Sequence, residues 1–140
     1  MADIMTPEQR SRCMSHIRSR NTKPEIRVRK ELFHRGYRYR INVGNLPGKP
    51  DIVLPKYKTV IFVNGCFWHG HEGCKYFVLP KSNTSFWENK IRQTQQRDKN
   101  TVAALQRIGW KTITIWECQL TQSLFSETIS MVETAINLPH

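Results

Sequence analysis

The sequence predicts a three-layer α/β domain built on a mixed central sheet. Three observations carry that expectation. Thr59-Val60-Ile61-Phe62-Val63 is an unbroken apolar, β-branched run, the pattern of a strand buried on both faces. Trp110-Lys111-Thr112-Ile113-Thr114-Ile115-Trp116 is a second clear run of strand-forming residues. Helical periodicity over residues 84–108 and 121–136 brackets that second run, so strands and helices alternate along the chain. A chain of 140 residues is expected to form one domain, 1–140, large enough to be stable without disulfides.

Taken in order, Thr6-Pro7-Glu8-Gln9 is a helix start, with a capping threonine and proline at the first helical position. The helix predicted over 6–20 is thin in apolar residues and rich in arginine, so residues 1–20 read as a basic arm. Thr22-Lys23-Pro24-Glu25 repeats the signal for a second helix that runs to about Arg35 and ends at Gly36. Glu25 then reads first as the acidic member of a capping box, ahead of any catalytic role. Residues 37–43 alternate and predict a strand. A turn-rich loop follows, and Pro50 forces extended geometry into Asp51, which heads a short strand through Leu54. Asp51 and the end of the 59–63 run are expected to lie side by side in a hairpin. The long helix over 84–108 presents Trp87, Ile91, Thr94, Val102, Leu105 and Ile108 near one face, and Gly109 ends it. The last helix, 121–136, carries Phe125, Ile129, Val132 and Ile136 at helical spacing.

The chemistry concentrates in Gly65-Cys66-Phe67-Trp68-His69-Gly70-His71-Glu72-Gly73-Cys74. Cys66, His71 and Cys74 have short-loop zinc spacing, and Cys118 can close a tetrahedron from the far end of the chain if the two strands are neighbours. His69 is then left over as a candidate general base. Alternatively Cys66, His69, His71 and Cys74 form a local four-ligand site. Phe67 and Trp68 sit between ligands, where they either wedge between bases or cap a small core over the metal.

Charge points to a polyanion. Lys and Arg number 22 against 11 Asp and Glu, a net charge of +11. Residues 1–50 carry +8, residues 51–100 carry +4 and residues 101–140 carry −1, so a nucleic-acid footprint is expected on the first two-thirds of the chain. No apolar segment approaches membrane-spanning length. The start lacks the pattern of a signal peptide, and the four scattered cysteines (Cys13, Cys66, Cys74, Cys118) fit a reducing, cytoplasmic compartment.

These residues resemble the very-short-patch repair endonucleases, the Vsr-type T:G mismatch nicking enzymes. The similarity is carried by Leu46-Pro47-Gly48-Lys49-Pro50-Asp51, by Val60 through Asn64 into Gly65-Cys66-Phe67-Trp68-His69, and by Phe86-Trp87 with Lys90-Ile91. It continues through Arg97-Asp98 and from Leu105 through Gly109-Trp110 to Trp116-Glu117-Cys118, spanning about Arg10 to Cys118. The resemblance implies a restriction endonuclease-like fold and magnesium-dependent nicking 5′ to the thymine of a T:G mismatch that arises when 5-methylcytosine deaminates. The partner is double-stranded DNA carrying that mismatch. The enzyme would be a bacterial monomer with transient contacts to other repair proteins.

By resemblance, Asp51 and the backbone carbonyl of Val63 hold Mg2+, His69 is the general base, and Glu25 is a supporting acid. Cys66, His71, Cys74 and Cys118 hold a structural Zn2+. Phe67, Trp68 and Trp87 form an aromatic wedge, Met14 enters from the other groove, and Lys90 contacts DNA. The sequence departs from the family pattern at Asn64, Thr94 and Gly70, and it lacks the Glu-x-Lys half of a restriction-type site. Two alternatives belong to other classes: a non-catalytic, zinc-stabilised DNA-binding module, and a site-specific double-strand endonuclease on the same scaffold.

Overall fold

The computed structural model describes residues 23–41 and 43–138. The helix predicted over 6–20, and Met14 with it, lie outside the described residues. Helix α1 spans Lys23–His34, strand β1 Ile52–Leu54, strand β2 Thr59–Asn64, helix α2 Thr84–Arg107, strand β3 Lys111–Trp116 and helix α3 Phe125–Asn137. The sheet order is β1-β2-β3, antiparallel between β1 and β2 and parallel between β2 and β3. This is the expected mixed sheet.

Alternation along the strands divides the core into two layers. Ile52, Leu54, Ile61 and Ile115 face α1 and α3, where they meet Val28, Leu32, Ile129, Val132 and Ile136. On the other face Val53 and Val60 meet Leu105 of α2, with Phe62 and Trp110 packed alongside. Each fully buried aliphatic side chain contributes about 1.5–3 kcal/mol, so the α1–sheet–α3 layer holds most of the apolar stabilisation. A polar tie closes it: Arg35 pairs with Glu31 at 2.7 Å and with Glu133 at 2.5 Å.

Helix α2 is held differently. Only Ile91 and Leu105 of its 24 residues are buried. They lie 14 positions apart, about 21 Å along the axis at 1.5 Å per residue. Between these anchor points the helix spans the sheet with its inner face half-covered, and that face becomes one wall of a cleft.

Several expectations are corrected. Where the strand over 37–43 is expected, the described residues form one isolated bridge, Arg40 with Val53, through hydrogen bonds of 2.8 and 2.9 Å. The three-residue β1 gives this edge segment little to pair with, while Tyr37 is drawn into the core beside Tyr57. Ile108 is 53% exposed, because α2 ends at Arg107 and leaves it outside the apolar face. The last helix begins at Phe125, not at 121: residues 121–124 form a turn, and before it Glu117–Leu120 form a turn of 3-10 helix that carries Cys118.

Candidate active site and metal cluster

The parallel pairing of β2 with β3 builds the metal cluster. Asn64 pairs with Trp116, and both strands end there. Cys66 and Cys118 each follow two residues later, so they emerge at the same end of the sheet. Cys66, His71, Cys74 and Cys118 place their donor atoms within 4.8 Å of one another. A tetrahedral zinc ion with bonds of about 2.0–2.3 Å needs donor separations near 3.3–3.8 Å, and Cys118 Sγ lies 3.5 Å from His71 Nδ1. Three thiols and an imidazole gathered in this way are a donor set that suits Zn2+.

His71 also stacks flat on Trp116, with centroids 4.1 Å apart and an interplanar angle of 4°. The loop is braced by its own main chain, with His69 N to Gly65 O at 3.2 Å and His71 N to Cys66 O at 2.9 Å. Burial pushes the Cys66 thiol up to about 12 and raises Cys118, whereas the Tyr76 amide, donating to Cys74 Sγ at 3.4 Å, lowers Cys74. A dication bound by sulfur deprotonates such thiols outright.

His69 is not part of this cluster. Its Nδ1 lies 2.6 Å from Asp98 Oδ2 on α2. The carboxylate accepts, so Nδ1 donates; in the neutral ring Nε2 is then left with a lone pair, which is the form a general base requires. The alternative of a local four-ligand loop including His69 is therefore set aside in favour of Cys118.

Asp51 stands just before β1, where the hairpin brings it against the end of β2. The Val63 amide donates to Asp51 Oδ2 at 2.6 Å. In an extended strand a residue's N–H and C=O leave on the same edge, so the Val63 carbonyl shares the edge that faces Asp51. Glu25, buried on the first turn of α1, hydrogen-bonds Asp51. Burial pushes the Asp51 carboxyl up to about 8; Glu25 adds to the rise, while the Val63 amide and the buried Arg29 oppose it. Two carboxylates in contact resist ionising together, and a hard dication with oxygen ligands resolves that conflict. This donor set fits Mg2+. Glu25 stands in the first turn of α1, and its expected capping partner Thr22 lies outside the described residues; what the fold adds is its contact with Asp51.

Asp51, Glu25, Val63, His69 and Asp98 line one cleft of about 710 Å³ between α2 and the sheet. Lys49, Lys90 and Arg97 line it too, and no side-chain hydrogen bond or ion pair engages their charges among the described residues. Gly48 packs so closely on α2 that a Cβ would lie 2.2 Å from Thr101 Cγ2, which pins the loop carrying Lys49 to the cleft wall. Phe67, Trp68 and Trp87 form a triangle of edge-on contacts, with centroids 5.3, 5.7 and 5.8 Å apart. All three rings are half-buried, and Trp68 reaches the cleft.

Reading by residue missed Asp98, Arg29, Lys49 and the stacking role of Trp116. Asp98 carried one signal: it falls on the same face of α2 as Trp87, Ile91 and Thr94. Chemically, a carboxylate pair, an oriented imidazole and cationic side chains in one cleft can hydrolyse an anionic ester. The site is compatible with a hydrolase for a phosphodiester-like substrate.

Known proteins narrow that class. The sequence profile described as DNA mismatch endonuclease Vsr matches residues 2–75. A type II nicking enzyme of Neisseria meningitidis serogroup A is 52% identical over 120 residues, covering 86% of this chain and 85% of its own. A type II nicking enzyme of Xanthomonas oryzae pv. oryzae is 47% identical, covering 86% and 88%. The DNA mismatch endonuclease Vsr of Escherichia coli is 40% identical, covering 86% and 76%. The chain belongs to the Vsr family of DNA mismatch endonucleases. It is accordingly a DNA-nicking nuclease, a hydrolase acting on DNA. Among the described residues no helix is long and apolar enough to cross a membrane.

Proposed function

We propose that this enzyme nicks one strand of duplex DNA on the 5′ side of the thymine of a T:G mismatch left by deamination of 5-methylcytosine, and that it requires Mg2+. The observation that carries the reading is the meeting of Asp51 and Glu25 with the His69–Asp98 pair in one cation-edged cleft. A non-catalytic DNA-binding module has no need of either pair.

Asp51 and the Val63 carbonyl hold magnesium, and Glu25 supports them. When bound, that ion stabilises charge on the scissile phosphate and acidifies water beside it. His69 Nε2 takes the proton of the attacking water, and Asp98 keeps the ring in the tautomer that can do so. The new bond joins water oxygen to phosphorus while the bond to the 3′ oxygen breaks, leaving a 5′ phosphate and a 3′ hydroxyl. Zinc at Cys66, His71, Cys74 and Cys118 is structural: it fixes the loop from which His69 and the aromatics project. Phe67, Trp68 and Trp87 insert beside the mispair, which unstacks more cheaply than a matched pair. Lys90 holds DNA from α2, and Met14, on a basic arm at residues 1–20, enters from the opposite groove. We read the sheet as the core of a restriction endonuclease-like fold, 1–140 as one domain, and the enzyme as a monomer acting on DNA in the bacterial cytoplasm, with transient contacts to other repair proteins.

The test is cleavage of end-labelled duplexes, T:G-mismatched and fully paired, with and without Mg2+. A single magnesium-dependent nick 5′ to the mispaired thymine is expected. Cutting of both strands in paired DNA would instead identify a double-strand endonuclease, and tight binding without cutting a non-catalytic module.

A further inference from the structure

Helix α2 grips the cluster loop on two successive turns. Asp98 holds the ring of His69. Three residues earlier, Gln95 Nε2 donates to the carbonyl of Gly70 at 2.9 Å. Gly70 is buried with φ +60°, and a Cβ there would lie 2.4 Å from Gln95 Nε2 and 2.6 Å from Ile91 Cγ2. The position needs glycine twice over, for its left-handed backbone and for the close approach of α2. The loop's main-chain hydrogen bonds set its internal shape, but they do not set where it sits against α2.

We propose that Gln95 is a positioning residue for the nicking reaction, fixing the main chain at Gly70 so that the adjacent His69 imidazole is aimed between Asp98 and the cleft. Gln95 anchors the backbone end of His69 and Asp98 anchors the ring end, so two contacts from one helix determine the direction of the base. Neither anchor alone does this, because an imidazole held only at Nδ1 can swing as its main chain shifts. The inference rests on reading His69 as the general base.

A double-mutant cycle tests it. Parent, Gln95→Met, His69→Ala and the double variant are compared in single-turnover nicking of a T:G duplex with Mg2+. Methionine keeps the length of the side chain and removes the amide, and with it the hydrogen bond to Gly70. Gln95→Met is expected to slow nicking roughly ten- to hundredfold, the scale of a misplacement near 1 Å, with duplex Kd and bound zinc at parent values. In the His69→Ala background the same change is expected to do nothing further. Equal slowing in both backgrounds would mean general support of the fold and overturns the proposal. Gln95→Met cutting at the parent rate beside a slow His69→Ala overturns the proposal alone. His69→Ala cutting at the parent rate overturns the base reading and the proposal with it.

Discussion

Replacing Asp51 by asparagine should stabilise the magnesium-free protein at alkaline pH while abolishing nicking. The Asp51 carboxyl ordinarily loses its proton near 3.8 and here holds it to about 8, chiefly because it is buried, with Glu25 adding to the effect. The folded state therefore binds a proton that the unfolded chain has already released, and stability falls as pH climbs from about 4 to about 8. Each unit of that interval is worth about 1.4 kcal/mol, so the whole interval caps the loss at about 5–6 kcal/mol, against total stabilities of about 5–15 kcal/mol. Asparagine carries no charge and escapes the loss. With zinc retained and no magnesium added, melting temperatures measured from pH 5 to pH 9 should diverge, parent falling below Asp51→Asn by a few degrees per kcal/mol. Added magnesium should narrow the gap at pH 8, because it stabilises only the form with both carboxylates ionised. Parallel melting curves across the whole range, or a parent that gains on the variant as pH rises, would refute the reasoning.

Cys118→Ala should lose the cluster metal and stability together, seen as metal content and melting temperature, because structural zinc contributes folding energy directly. His69→Ala should slow nicking at least roughly a hundredfold with zinc still bound; loss of zinc instead would return His69 to the ligand set. Trp68→Ala should weaken binding to mismatched duplex by about 1–3 kcal/mol, leave matched duplex little changed and leave the salt slope intact. Equal losses on both duplexes with a lower melting temperature would show that the ring serves packing alone. Lys49→Ala and Arg97→Ala should each reduce the slope of log Kd against log salt by about 0.9, on matched and mismatched DNA alike; an unchanged slope would mean that neither cation meets a phosphate.

The metal cluster was legible because its spacing is local for three ligands, and the fourth follows from two strong strand signals. Once 59–63 and 110–116 are read as neighbouring strands, Cys118 has to emerge beside Cys66. The hairpin placing Asp51 against Val63 was legible for the same reason: a short strand, a turn and a buried run leave few other arrangements. Glu25 was not. Its position in a helix first turn satisfies a capping rule, and nothing local reports that a carboxylate from another element waits opposite. Asp98 was hidden by distance, since its imidazole lies 29 positions away and the residues beside it in the chain, 92–101, are all polar. Residues 37–43 carry a convincing alternation, but pairing is a property of two strands, and β1 is too short to return it.

The parallel register of β2 and β3 also bears on how the chain is made. Thr59 meets Lys111, a partner 52 residues further along. At a ribosomal pace of about 5–20 residues per second, β2 waits roughly 3–10 s after its own synthesis before its neighbour exists. Until then a strand with four buried residues out of six has only the three residues of β1 beside it. Cys66, His71 and Cys74 are all made before α2 begins, so three donors await a fourth that arrives only with the closing strand. Completion of the sheet and completion of the cluster are one event in the growth of the nascent chain, and a ribosome that stalls before residue 118 leaves both undone.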